Sequence, residues 1–400
     1  MKAYIPNNLN LGAEKHRDKY YYIIRLIYYG RIFDKRNIKH SFISLNGQFL
    51  HKVLGGNYIK YLRWLIDSGI IESDKHYEPN KKSIGYRLTE KYRNEKFRKV
   101  EITNKRLIEK IEKLKVQHEQ SISNPTLIYL IKCLKSIKLD FDGANNWLVQ
   151  NISEINNYEY SNATSSIDLL YSNDSHFTVS SLTGRFYSTV TNLKKELRPF
   201  LKYNGQSLVE VDIANSQPFF LNFLLIDYYS NNNSLIKSYS DIKYISYDTK
   251  NNLPDDSKKY IDLTSKGVFY EYLMEAFNYS GDRDKFKKML FARVYYNDTL
   301  KGGREEWFLF QDLFPSVAEV ITHHKKENYK NLAIMLQIAE SDMMIYKIVP
   351  KLIEKIIYAL TIHDSYLVIE NDSAEVKKII LNEFKNLYGL IPFVRIKGGK

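Results

Sequence analysis

The chain has 400 residues and a mass of 47.2 kDa, more than one hydrophobic core usually serves, so two or three structural units are expected. Its single cysteine, Cys133, excludes a disulfide framework and a Cys-rich zinc site. No run approaches the roughly 20 apolar residues of a membrane span and the opening residues lack a signal-peptide core, so a soluble cytoplasmic protein without membrane partners is expected. The formal net charge of +13 lies wholly in the first third: residues 1–120 hold 26 Lys and Arg against 13 Asp and Glu, and the rest hold 33 of each. A basic segment on a charge-balanced body predicts polyanion binding, with a surface charged for solubility as the alternative. The 33 tyrosines could stack on bases, but Tyr, Ile, Asn and Lys are all abundant together, which reads equally as compositional bias.

Residues 42–92 read as helix, helix, hairpin. Residues 45–54 carry a helical pattern, and Asn57 can cap a second helix on which Tyr58, Tyr61, Leu62, Leu65 and Ile66 recur at helical spacing until Gly69. Residues 70–77 and 83–88 alternate as strands around Pro79-Asn80-Lys81-Lys82, giving a winged-helix outline with a basic wing tip. Such a module docks a helix on a duplex; a packing or partner-binding role is the alternative. Residues 104–119, with Leu107, Ile111 and Leu114 on one face, and 126–138, with Leu127, Leu130, Ile131 and Leu134, predict a helical hairpin. The Asn- and Ser-rich stretch 151–175 is expected to be irregular, and the polar stretch 230–257 a surface insertion.

Joining nucleotides requires two cations about 3.5–4 Å apart, which carboxylates on adjacent strands can hold. Asp212 ends the apolar run Leu208-Val209-Glu210-Val211, and Asp364 sits between strand-like runs 359–362 and 365–369, at an expected tight hairpin. A lone Asp after a strand is usually a turn former, so the pair gains meaning only from its context. Between them, Arg283, Lys287, Phe291 and Tyr295 recur at a spacing of four, which lines cations and rings along one helix stripe. An ordinary amphipathic helix is the alternative for that stripe.

The stripe resembles the nucleotide-binding helix in the fingers of family A DNA polymerases, and further motifs follow in the family's order. Thr183-Gly184-Arg185-Phe186-Tyr187-Ser188-Thr189-Val190-Thr191-Asn192-Leu193 resembles the TGR-x-x-ST-x-x-NL segment that holds the primer–template duplex. Asp212, followed by Gln217, stands where the first metal-binding aspartate belongs. Phe314-Pro315-Ser316-Val317 is similar to "YPGV", Gln337-x4-Asp342 to the Q-x4-D helix, and His363-Asp364 to the second metal motif. The resemblance spans residues 181–385. It implies Mg2+, two ions with Mn2+ as a substitute, on Asp212 and Asp364, and triphosphate on Arg283 and Lys287. It further implies base and sugar framed by Phe291 and Tyr295, and primer–template contacts from Thr183, Arg185, Asn192, Gln217, Gln337 and His363. The alternatives are a place in the core for Phe291 and Tyr295 and a helix cap for Gln337.

The sequence also departs from the family. The run after Asp212 is Ile213-Ala214-Asn215-Ser216-Gln217-Pro218, with no glutamate of the kind that excludes ribonucleotides; the second motif is His-Asp-Ser; and Tyr296 replaces the glycine after the stripe. Gly184-Arg185-Phe186-Tyr187 is also similar to the G-R-x-Y of single-subunit phage-type RNA polymerases. The resemblance therefore implies an α+β right-hand polymerase: a basic winged-helix-like domain over 1–100, a small helical thumb over 101–180, and a palm over 181–400 with fingers at about 265–325. The expected activity is template-directed DNA synthesis from a primer, without a proofreading exonuclease and with a processivity partner as a further candidate ligand. A single-subunit RNA polymerase or primase on the same palm is the first alternative, and a catalytically inactive DNA-binding replication initiator the second.

Overall fold

The computed structural model describes residues 1–33, 42–79, 81–152, 157–230, 253–297 and 304–398. The expected insertion at 230–257 lies largely outside them, as does Asn80 of the wing tip. The fold is mixed α+β, mostly helical with antiparallel sheets. It divides into two compact units, one of Met1–Ser123, Leu139–Asp174 and Asn192–Phe200, the other of Asn124–Lys138, Ser175–Thr191 and Leu201–Lys400.

The first unit opens with β1 (Lys2–Pro6) and α1 (Arg17–Phe33), then β2 (Ile43–Ser44), α2 (Gly47–Leu54), α3 (Tyr58–Asp67), β3 (Ile71–Ser73) and β4 (Gly85–Leu88). It continues with α4 (Glu90–Arg93), β5 (Phe97–Glu101) and α5 (Lys105–Gln120). Strands β2, β4 and β3 form an antiparallel sheet in that order, so two helices and a hairpin stand where the pattern predicts them. Asn46 caps α2 by accepting from Phe49 N at 2.9 Å, whereas Asn57 makes no capping side-chain bond to α3. Apolar Tyr61, Leu62 and Leu65 of α3 enter the core and leave Lys60 and Arg63 exposed. Strand β1 pairs with β5.

Helix α6 (Pro125–Ser136) belongs to the second unit, so α5 and the helix expected to form a hairpin with it fall in different units. After β6 (Lys138–Leu139), at the junction, α7 (Phe141–Asn151) and α8 (Asn157–Tyr171) return to the first unit. Helix α8 corrects the expectation of irregular structure over 151–175. Its polar residues fold back onto their own helix, with Thr164, Ser165 and Ser166 donating to the carbonyls four residues earlier at 2.9, 2.7 and 3.0 Å. That satisfies hydroxyls which would otherwise oppose burial, while Ala163, Ile167, Leu169 and Leu170 supply the apolar face.

The second unit continues with β7 (Phe177–Val179), β8 (Phe186–Ser188), β9 (Leu201–Tyr203), β10 (Gln206–Ile213) and α9 (Ser216–Ser230). Next come α10 (Asp255–Ser265), α11 (Phe269–Ala276), α12 (Arg283–Leu290), a π-helical turn at Phe291–Tyr295, α13 (Glu305–Leu313) and α14 (Pro315–Lys325). The rest is α15 (Asn331–Ser341), a second π-helical stretch at Asp342–Ile348, α16 (Val349–Glu354), β11 (Ala359–Ile362), β12 (Ser365–Ile369), α17 (Ser373–Tyr388) and β13 (Val394–Lys397). Antiparallel β11, β12, β10 and β9 lie side by side, and β13 pairs with the far part of β10. Helix α9 is buried on all sides over residues 216–228, as its apolar residues on every face require, and among its buried polar residues Asn222 Nδ2 donates to Thr264 Oγ1 at 2.9 Å. Among the described residues no helix is long and apolar enough to cross a membrane.

Candidate active site

The site lies in the second unit, on β10 and the β11–β12 hairpin. Asp212 faces Ser365 in register across β10 and β12, and Ile213 N donates to Asp364 O at 3.1 Å, so the two aspartates are neighbours. Asp364 occupies a two-residue turn made by His363 in the left-handed region at φ 56°, the expected tight hairpin. Alternation puts Glu210 on the same face as Asp212. Ser365 Oγ donates to Glu210 Oε1 at 2.9 Å, and Lys397 Nζ of β13 stands 2.5 Å from Asp212 Oδ2. Past Asp212 the chain turns at Asn215, left-handed at φ 55°, a conformation Asn tolerates, and enters α9 with Pro218 in the first turn.

Burial, and then the charge of Asp364, pushes the Asp212 carboxyl up to about 6, against the pull of Lys397. Burial also raises Asp364, followed by the charge of Glu340, while Lys287 and Arg185 pull it down. Two carboxylates that resist ionising together call for positive charge between them.

Helix α15 organises the next layer. Glu340, only 2% exposed, pairs through Oε1 with Arg185 Nη2 at 2.6 Å. Its Oε2 accepts from Gln217 Nε2 at 2.6 Å and from Ser216 Oγ at 3.3 Å. Ser341 Oγ donates to Thr183 O, and Tyr346 Oη to Gly184 O at 3.4 Å, which clamps the Thr183-Gly184-Arg185 turn to this helix and its π-helical extension. Gly184 is left-handed at φ 67°, and a Cβ there would lie 3.2 Å from Ser341 Oγ.

The structure thus gathers Asp212, Asp364, Thr183, Arg185, Gln217, Lys287 and His363, the last with its ring 5.3 Å from Tyr187, edge-on. Gln337 is half-buried on α15. Asn192 belongs to the first unit. Along the stripe, Arg283 pairs with Glu271 at 2.6 Å, and both Arg283 and Lys287 lie over the Tyr270 ring. Lys287 also lies over Phe291. Tyr295 is 0% exposed, with its hydroxyl 2.8 Å from that of Tyr260, which donates to Pro218 O. Sequence reasoning missed Glu340, Lys397 and Glu210. Glu340 carried a signal, an acid among the apolar residues of a core helix three places after Gln337; Lys397 carried none, because only strand pairing brings it to Asp212.

Among the described residues no three His, Cys, Asp or Glu side chains cluster as a metal cage. Asp212 and Asp364 nevertheless fit magnesium, which takes hard oxygen ligands and is held by one or two carboxylates plus substrate phosphates.

No family model and no curated protein matches the sequence. Among solved structures the chain is similar to the POL domain of Pol1 from M. smegmatis in complex with DNA primer-template and dNTP, at 13% identity and a TM-score of 0.31. The match covers 64% of this chain and 55% of that one, so the chain spans about half the length of the solved structure. This is a distant likeness to a polymerase domain.

Proposed function

We propose that the chain is a nucleotidyltransferase with a right-hand polymerase palm, a template-directed DNA polymerase that extends a primer. The observation that carries this reading is the Asp212–Asp364 pair brought side by side by β10 and the β11–β12 hairpin, with burial and the charge of Asp364 raising Asp212, and Lys287 and Arg185 in electrostatic reach of Asp364. Magnesium held by the two aspartates would activate the attacking hydroxyl and neutralise the leaving pyrophosphate. Lys287 and Arg283, on one stripe of α12, would bind the triphosphate and hold its α-phosphate in line with the primer 3′ oxygen. Arg185, braced by Glu340, and His363 would hold the primer end. The basic first unit, with Lys60 and Arg63 exposed on α3, would add affinity for the duplex.

A ribonucleotide-polymerising enzyme on the same palm is the second reading, favoured by the absence of a glutamate in the run after Asp212 and by the His-Asp-Ser of the second motif. Extension of a labelled primer–template with magnesium and either deoxy- or ribonucleotides separates the readings. Extension with deoxynucleotides preferred supports the first, ribonucleotide preference promotes the second, and DNA binding without extension by either substrate leaves a DNA-binding replication protein.

A further inference from the structure

We propose that the tyrosine presented to the incoming nucleotide is Tyr296, carried there by a π-helical turn that diverts Tyr295 into the core. The inference rests on the polymerase reading and concerns which side chain completes its nucleotide stripe.

Arg283, Lys287 and Phe291 are spaced by four, the repeat that keeps side chains in one row along an α-helix. Helix α12 ends at Leu290 and the chain continues as a π-helix over Phe291–Tyr295, closed by Tyr296 N donating to Phe291 O at 2.8 Å. In this wider turn the residue five places on, not four, lies above Phe291. The row therefore continues to Tyr296, whose ring lies 5.2 Å from that of Phe291. Tyr295 is equally near Phe291, at 5.4 Å, but it is fully buried and its hydroxyl is engaged by Tyr260. Tyr296 is 38% exposed, and its hydroxyl feels Arg185, Glu340, Asp364 and Tyr187, the groups of the candidate active site. Burial and those carboxylates push the hydroxyl up to about 12, so it stays a neutral donor at working pH.

The π-turn is held from behind. Lys325 of α14 is 1% exposed, and its Nζ donates to Val294 O at 2.6 Å and to Asn297 O at 3.0 Å. A buried ammonium is tolerated only when hydrogen-bonded, and these two bonds tie it to carbonyls at the end of the wider turn. The same geometry accounts for a tyrosine where the family has glycine: the side chain after the stripe faces the site.

The test compares Tyr296→Ala, Tyr296→Phe and Tyr295→Phe for single-nucleotide insertion and for equilibrium binding of a fluorescent mant-dATP with magnesium, with melting temperatures as a check on folding. Tyr296→Ala is expected to raise KM and weaken mant-dATP binding about tenfold with kcat changed less, and Tyr296→Phe to recover most of that loss. Tyr295→Phe is expected to lower the melting temperature and leave KM within about twofold. If Tyr296→Ala fails to fold, Tyr296→Leu, which keeps the bulk, makes the same comparison. The proposal is overturned if KM and mant-dATP binding stay within twofold in the folded Tyr296 variant, or if Tyr295→Phe weakens both as much. Wild-type protein that binds mant-dATP but extends no primer sinks the polymerase reading instead, and the binding comparison still decides Tyr296.

Discussion

Asp212 and Asp364 impose a cost on the fold that a divalent cation would relieve. Both carboxyls are raised from 3.8 to about 6, so between those values the folded chain binds more protons than the unfolded one. Stability therefore falls as pH rises through this window, and the cost is present in full above it. Asp364→Asn should abolish synthesis and leave duplex binding intact. Without metal it should also stabilise the fold at pH 7.5 by about 1–3 kcal/mol relative to wild type, with no gain at pH 4, as read by thermal melting. A destabilised Asp364→Asn at pH 7.5 would mean that the two carboxylates are not in conflict. Lys397 relieves part of the same cost by occupying Asp212. Lys397→Met removes that competitor, so Mn2+ binding followed by electron paramagnetic resonance should tighten by about three- to tenfold, an effect of roughly 1 kcal/mol. Unchanged or weaker binding would show that the lysine does not compete for the site.

Gln217 carries the sugar question at the same scale. Its Nε2 is committed to Glu340, and its buried Oε1 has no hydrogen-bond partner among the described residues. A side chain left with an acceptor welcomes a hydroxyl more readily than it excludes one. Discrimination against ribonucleotides should therefore be weak, on the order of ten- to a hundredfold, or about 1–3 kcal/mol. Competing single-nucleotide insertions measure it, and a ratio above about ten-thousandfold would point to a steric gate elsewhere.

At the scale of elements, the β7–β8 connection shows how a motif becomes a scaffold. Ser180 N donates to Arg185 O at 2.9 Å, and Gly184 N donates back to Ser180 O at 2.9 Å, closing a turn that needs the left-handed Gly184. Gly184→Ala combines backbone strain with crowding against Ser341, and should cost about 1–2 kcal/mol. It should also lower primer extension, because Arg185 is the next residue. Urea melts and extension assays read the two effects, and full activity with a loss of stability would separate the turn from the site. Helix α8 carries the complementary lesson. Its Ser- and Asn-rich composition matches loop statistics, yet hydroxyls bonded to their own helix let it pack, a local solution that composition does not reveal.

At the scale of the whole molecule, the charge asymmetry is the organising fact. The first unit holds most of residues 1–120, where the excess of positive charge lies, and it exposes Lys60 and Arg63 on α3 and Lys81 beside the wing. Replacing these three by Gln should lower the slope of log affinity for duplex DNA against log salt by about 3 if each neutralises a phosphate. Fluorescence anisotropy over a salt series measures that slope. An unchanged slope would make the charge a solubility device.

Sequence by itself determined the elements that local periodicity and turn chemistry control. The α2–α3 pair with its β3–β4 hairpin, the strands around Asp364 and the spacing from Arg283 to Phe291 were all legible, because each depends on residues close in the chain. Tertiary structure decided what depends on partners far apart. The π-turn that separates Tyr295 from Tyr296 is closed by a shift in backbone bonding and held by Lys325, about thirty residues on, so the regular spacing of four leads to Tyr295, which the fold buries, while its neighbour Tyr296 stays partly exposed. Glu340 and Lys397 reach Arg185, Gln217 and Asp212 only through packing and strand pairing, and a charge becomes a partner only when the fold brings it within a few ångströms.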